Sequence, residues 1–153
     1  MPIIRLETLI DAPIERCFDL SRDIDVHMES MGLTNERAIA GVMHGMVTLG
    51  DTVTWEGRHL GIRQRLTSKI TEFDRPHKFV DEMQRGAFHH WHHTHLFAER
   101  GDRTMMTDVV DYSSPLGILG RIVDAVYLEN YVRRFLVRRN EHLKQVSEML
   151  GGR

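Results

Sequence analysis

The last third of the chain constrains the fold most. From about Leu116 to Leu150 the apolar residues recur at helical spacing. Leu119, Ile122, Val123, Val126, Tyr131, Phe135, Leu143, Val146 and Leu150 form one stripe. Arg134, Arg138, Glu141, Gln145 and Glu148 fall on the opposite face. Ser113-Ser114-Pro115 opens the segment, with Ser114 placed as cap and Pro115 as first helical residue. Gly117 and Gly120 near its start mark a close approach to a neighbour or a kink. A helix of more than 30 residues is about 45–50 Å long at ~1.5 Å per residue. Its stripe needs a partner long enough to cover it.

The preceding residues supply strands. Residues 3–10 carry Ile4, Leu6 and Ile10 on one face. Asp11-Ala12-Pro13 then opens a short helix, with Asp11 or Ala12 at the cap and Pro13 in the first turn. Ile14, Cys17 and Phe18 sit at helical spacing, and a second short helix is expected from Asp23 to Ser30. Strands follow at 34–40, 52–58, 62–71, 77–84, 88–99 and 103–112. Turns are expected at His59-Leu60-Gly61, Asp74-Arg75-Pro76, Gly86-Ala87 and Arg100-Gly101-Asp102. Val53 and Trp55 share a face, as do Phe79, Asp81 and Met83. Ile62, Leu66 and Ile70 should face inward, with Arg63, Arg65 and Lys69 outward. The expected class is α+β: a bent antiparallel sheet of about seven strands around one long C-terminal helix, with two short helices after the first strand. Such a sheet encloses more volume than one helix fills, so a cavity should remain.

Composition limits the partners. The 153 residues suit one domain over 1–153. The net charge of −2 argues against a nucleic-acid partner. No apolar run approaches the ~18 residues of an integral membrane segment, and Met1-Pro2-Ile3-Ile4-Arg5 lacks the blocks of a signal peptide. The lone Cys17 cannot form an internal disulfide, which fits a cytoplasmic protein. In its apolar helical setting Cys17 reads as a small buried side chain, not a nucleophile. Nothing in the sequence sets an oligomeric state.

The chemistry concentrates in His89-His90-Trp91-His92-His93-Thr94-His95, which holds five of the ten histidines. In a strand, His89, Trp91, His93, His95 and Phe97 share one face, and His90, His92, Thr94 and Leu96 the other. Across the hairpin, Asp81 falls opposite or diagonal to His93, about 4.5–8 Å away. The pair could satisfy itself beside the cavity, contact a ligand, or move a proton with Asp81 orienting His93 or His95. His93 and His95 lie about 6.5–7 Å apart along the strand, so two metal ligands could converge. Asp81, His59 or Asp108 would be the third, whereas zinc sites usually need three or four. The sequence assigns no metal and no cofactor. On the last strand, Met106, Asp108, Val110 and Tyr112 share a face, and Met105, Thr107 and Val109 the other. The pattern alone does not decide between them. The first set is preferred inward because Tyr112 with Asp108 would give the cavity a polar floor.

Three segments carry a resemblance. They are Ile10-Asp11-Ala12-Pro13-Ile14-Glu15-Arg16-Cys17-Phe18, Leu49-Gly50-Asp51-Thr52-Val53-Thr54-Trp55 and Tyr112-Ser113-Ser114-Pro115-Leu116-Gly117. In order and spacing the chain resembles the helix-grip superfamily of SRPBCC proteins: START-like lipid-transfer domains, birch-pollen-allergen-like proteins and polyketide cyclases. The resemblance implies a hydrophobic internal pocket. It implies no single activity, since members include carriers, hormone receptors and aromatase/cyclases, and it transfers no catalytic residue. The expectation is a carrier or sensor of a small, largely hydrophobic molecule held between sheet and helix. Trp55, Leu66, Phe79, Met83, Trp91 and Phe97 would form the walls, and Asp81, His93, His95 and Tyr112 the polar handles. The alternative is a cyclase- or dehydratase-like enzyme with His93 or His95 as general base. A third possibility is an interaction protein whose pocket is filled by side chains. Val42, Met43, Met46 and Leu49 in the 41–50 connection pack on the sheet edge or gate the cavity. Arg133, Arg134, Arg138 and Arg139 read as a solvated helix face.

Overall fold

Short turns oblige successive strands to pair with their immediate neighbours, and this sets the sheet. The computed structural model describes residues 3–30, 35–59, 61–114, 122 and 127–151. The elements are β1 (Ile3–Ile10), α1 (Ile14–Ser21), α2 (Ile24–Ser30), β2 (Arg37–Gly41), β3 (Thr52–His59), β4 (Ile62–Asp74), β5 (Lys78–Arg85), β6 (His90–Arg100), β7 (Arg103–Ser113) and α3 (Glu129–Gly151). β2 to β7 form a meander and β1 adds beside β7, giving the order β1-β7-β6-β5-β4-β3-β2. Every pairing is antiparallel. Irregularities at Thr67/Ser68 and Ile70/Glu72 interrupt the β4–β5 ladder, and such bulges bend a sheet.

The short helices lie over one end of the sheet. Pro13 is itself the cap of α1, with extended backbone, so it stands one position earlier than expected. Asp23 caps α2: its carboxylate accepts from the Asp25 and Val26 amides at 2.9 and 3.2 Å. Phe18 meets Phe73, Phe79 and Phe97 edge-on at 5.3–5.5 Å. Cys17 is buried, its Sγ donating to the Ala12 carbonyl at 3.8 Å, and burial pushes the thiol up. In the 41–50 connection, Val47 is buried, while Met43, Met46 and Leu49 are exposed.

Two expectations are corrected here. Ile62 is 63% exposed. It pairs with His59 at the tip of the β3–β4 hairpin, beyond the reach of the core. The long helix also buries polar residues beside its expected stripe, of which Leu143 is buried and Tyr131 and Phe135 face the interior. Its buried residues are Val132, Leu136, Arg139, Asn140, Leu143 and Ser147, whereas Ile122 and Leu150 are each 62% exposed. Arg139 is therefore not part of a solvated face. The expected start of this helix, including Leu119, Val123 and Val126, lies outside the described residues, as do Thr34 and Leu60. Among the described residues no helix is long and apolar enough to cross a membrane.

A polar seam divides the interior. One apolar cluster includes Ile10, Phe18, Phe79, Phe97, Met106 and Leu143. Another holds Ile4, Val110, Tyr112, Val132 and Leu136. Between them in sequence lie His93 and His95 on β6, Asp108 on β7, and Arg139 and Asn140 on α3, all buried.

Candidate functional site

A cavity of about 220 Å³ lies between the sheet and α3. On this measure a single water needs only about 10–15 Å³, so the space suits a small organic molecule. Trp55, Leu66, Phe79, Asp81, Trp91, His93 and His95 line it, together with Phe135, Leu136 and Arg139. Met83, Phe97 and Tyr112 were expected in the lining and are not there. Met83 stands opposite Ser68, and its sulfur packs against Gly86 in the hairpin turn. Phe97 is buried against Phe18 and Phe79. Tyr112 is 0% exposed in the cluster with Val110, Val132 and Leu136. Alternation fixes which face a side chain takes, but not whether helix or cavity lies above it. His89 is exposed and precedes β6, so it does not share the inner face.

The inner cluster rests on three adjacent strands and one helix. Asp81 is in register with His93, yet its short contact is diagonal: His95 Nε2 to Asp81 Oδ2 at 2.7 Å. His93 Nε2 instead reaches Asp108 Oδ1 at 2.7 Å. Asp108 also accepts from Arg139 Nη1 at 3.1 Å and Asn140 Nδ2 at 2.7 Å. Arg139 Nη2 lies 3.4 Å from His95 Nδ1. The two imidazoles stack at 3.8 Å, and His95 stacks on Phe79 at 4.0 Å. These partners set the tautomers: Arg139 donates to His95 Nδ1, so His95 Nε2–H donates to Asp81, and His93 Nε2–H donates to Asp108.

Burial sets the charges. It pushes His95 down to about 4, helped by the charge of His93, against the pull of Asp81. His95 is neutral near pH 7. Burial pushes Asp108 up, but the Arg139 guanidinium and the His93 donor outweigh it and hold Asp108 well below the usual carboxylate range. Asp81 is lowered in the same way: burial raises it, and the His95 hydrogen bond with the neighbouring His93 imidazole and the Arg139 guanidinium prevails. Both acids are ionised.

A second, less buried cluster also lines the cavity: His27, Glu36, His59 and Tyr131. Glu36 Oε1 lies 2.9 Å from His27 Nε2, and its Oε2 lies 3.2 Å from His59 Nε2. His59 Nδ1 meets the Tyr131 hydroxyl at 2.9 Å. Burial pushes Glu36 up, but His27 and His59 together bring it down to about 2. Gly57 lies beneath; a Cβ there would stand 3.3 Å from Glu36 Cβ and His59 Nε2, so the strand interior needs glycine for this close approach. Sequence reasoning named His59 only as a possible metal ligand and missed Glu36, His27 and Tyr131. They come from separate elements with no shared local pattern. Arg139 and Asn140 were missed because polar residues on a helix read as solvated.

One ligand atom from each of Asp81, His93 and His95 lies within 4.8 Å of the others, which makes them the metal-capable group among the described residues. His59 belongs to the other cluster, and Asp108 stands behind His93. On the outer face of β6, His90 and His92 lie 3.6 Å from Asp111 and 3.1 Å from Glu82.

Residues 1–148 match the profile of a family described as polyketide cyclase / dehydrase and lipid transport. The chain belongs to that family. Solved structures agree on the fold. The protein TTHA0849 from Thermus thermophilus superposes with a TM-score of 0.74 at 19% identity, over 95% of this chain and 99% of that one. A START superfamily protein from Mycobacterium smegmatis gives 0.73 at 14% identity, over 97% and 98%. Ginseng major latex-like protein 151 from Panax ginseng gives 0.66 at 13%, over 95% and 97%. At these identities the likeness establishes the helix-grip fold. A comparison with curated proteins found no match.

Proposed function

We propose that this chain binds a small, largely apolar molecule in the cavity, as a carrier or sensor, and orients it by the two carboxylate–imidazole clusters. The observation that carries this reading is the cavity itself: aromatic and aliphatic walls from β3 to β6 and α3, with polar groups concentrated in two places. Pockets of that make-up bind ligands by apolar burial and orient them by a few polar contacts. Burying roughly 300 Å² of ligand at ~25 cal/mol/Å² gives about 7 kcal/mol before immobilisation losses. A gross gain of about 7 kcal/mol corresponds to a Kd of about 10 μM, so apolar burial alone gives weaker binding than that and the polar contacts must add to it.

For His95 and Asp81, the direction of their pKa shifts favours binding over proton abstraction. An effective general base has a pKa near the working pH. His95 at about 4 and the depressed Asp81 are weak bases at neutral pH. They serve better as a fixed donor and acceptor.

Trp55 and Trp91 are the two tryptophans of the chain and both line the cavity. Titration with 8-anilinonaphthalene-1-sulfonate should quench their emission saturably, and Leu66→Trp should block the site. Organic extraction of freshly purified protein should release an apolar small molecule. A folded protein that neither takes up the probe nor releases such a molecule would refute the reading.

A further inference from the structure

The cavity holds a second kind of binding group besides its apolar walls. β6 supplies His93 and His95 two residues apart, and β5 supplies Asp81 in register with His93. Their ligand atoms lie within 4.8 Å of one another. Two imidazoles with one carboxylate suit first-row divalent ions, zinc among them.

The surroundings reinforce this. A metal-bound imidazole is usually fixed by donating its other N–H to a carboxylate. His93 makes that bond, Nε2 to Asp108 at 2.7 Å, and Asp108 is itself held by Arg139 and Asn140. The Nδ1 of His93 is then a lone pair, and it stands 3.9 Å from Asp81 Oδ2. Two acceptors so placed repel unless a positive centre joins them. His95 offers Nε2 by shifting its proton to Nδ1, which then donates to Asp108 Oδ1 at 3.5 Å in place of accepting from Arg139 Nη2 at 3.4 Å, while Arg139 Nη1 keeps its bond to Asp108; no proton leaves the protein.

Distances allow the geometry. Bonds of about 2.0–2.2 Å set tetrahedral ligand atoms about 3.3 Å apart. The His93–Asp81 separation of 3.9 Å must shorten and the His95–Asp81 separation of 2.7 Å must lengthen, each by roughly 0.6 Å on that tetrahedral spacing. Side-chain rotation covers this. Charge also favours it. Imidazoles apart, two carboxylates face one guanidinium, and Arg139 is committed to Asp108.

We infer that Asp81, His93 and His95 form a binding site for a divalent transition-metal ion, zinc first among them, with a remaining coordination position open to the cavity. A ligand engaging that position carries an oxygen donor, such as a carbonyl or carboxylate, on its apolar body. The ion site stands whether or not the cavity takes an apolar molecule.

Tag-free protein, stripped with a chelator, is titrated with zinc by calorimetry and with cobalt(II) by visible absorption. One ion per chain and an intense tetrahedral cobalt band are expected. Zinc should raise the Tm of the wild type. His93→Ala, His95→Ala and the milder Asp81→Asn should each remove the cobalt band, with circular dichroism confirming the fold. Asp108→Asn should keep the stoichiometry and weaken zinc about 10–100-fold. The double variant His90→Ala, His92→Ala alters only the outer face and should bind as wild type. Substoichiometric zinc, absence of the cobalt band, or binding abolished by the outer-face variant but not by Asp81→Asn would overturn the site. Probe titration of the stripped protein tests the apolar pocket separately.

Discussion

The inner and outer clusters use the same chemistry and are built in opposite ways. In the inner one, Asp81, His93, His95 and Asp108 sit on hydrogen-bonded neighbours β5, β6 and β7, so the ladder fixes their spacing. In the outer one, Glu36 precedes β2, His27 is on α2, His59 ends β3 and Tyr131 is on α3. The β2–β3 ladder, which pairs Arg37 with Glu56, sets Glu36 near His59, and helix packing brings His27 and Tyr131 to them. The counter-charges differ too. Asp108 has a guanidinium, whereas Glu36 has two imidazoles, which carry charge only when protonated. The inner group is thus part of the scaffold. The outer group is a clasp between the β2–β3 edge and two helices.

The largest effect should come from breaking the inner ion pair. Arg139→Ala leaves Asp108 buried without its cation, and a loss of about 3–5 kcal/mol is expected; chemical denaturation measures it. A loss below that of Glu36→Gln would reverse the ranking of the two clusters.

Acid should come next. An unfolded imidazole titrates near ~6.5, and folded His95 near about 4. Between those values the unfolded chain binds the extra proton. Stability is therefore full above the window and falls as pH is lowered through it. The Tm should decline across that range, and His95→Gln should flatten the slope. Glu36 acts lower. Its unfolded pKa is about 4.3 and its folded value about 2, so its contribution is present above the former and lost toward the latter.

Glu36→Gln should cost about 1–3 kcal/mol by leaving partly buried imidazoles poorly matched. If the clasp holds the cavity closed, bound probe should also leave faster in stopped flow; an unchanged off-rate would make it purely structural. The smallest effect is His92→Ala on the outer face of β6, within about 0.5 kcal/mol. A larger loss by thermal melting would mean that the strand itself, not burial, makes its histidines matter.

Much of the inner cluster was legible because strands alternate. The period of two placed Trp91, His93 and His95 together, and the hairpin put Asp81 beside them. The alternation could not choose between the direct and the diagonal partner; side-chain rotamers did that, giving Asp81 to His95 and Asp108 to His93. It also could not measure depth, which is why Phe97 and Tyr112 were placed in the cavity wall. The helix misled for another reason. An apolar stripe was sought, but the buried face of α3 contains Arg139, Asn140 and Ser147, and partners distant in sequence, Asp108 foremost with His95 and Thr8, make the first two tolerable there. Glu36 carries no local signal, since its partners are separated from it in sequence. The metal reading of His93 and His95 was discounted because the choice of a third ligand among Asp81, His59 and Asp108 depends on strand register.

The polar seam also polices how the strands align. β6 and β7 pair His95 with Asp108 and Phe97 with Met106. A slip of two residues keeps every side chain on its proper face, so hydrophobic patterning alone would not reject it. One such slip sets Asp108 opposite Phe97 and strands a buried carboxylate in an aromatic nest. The misaligned sheet is thereby excluded on electrostatic grounds, and a single acidic residue acts as the index mark from which the rest of the sheet is measured.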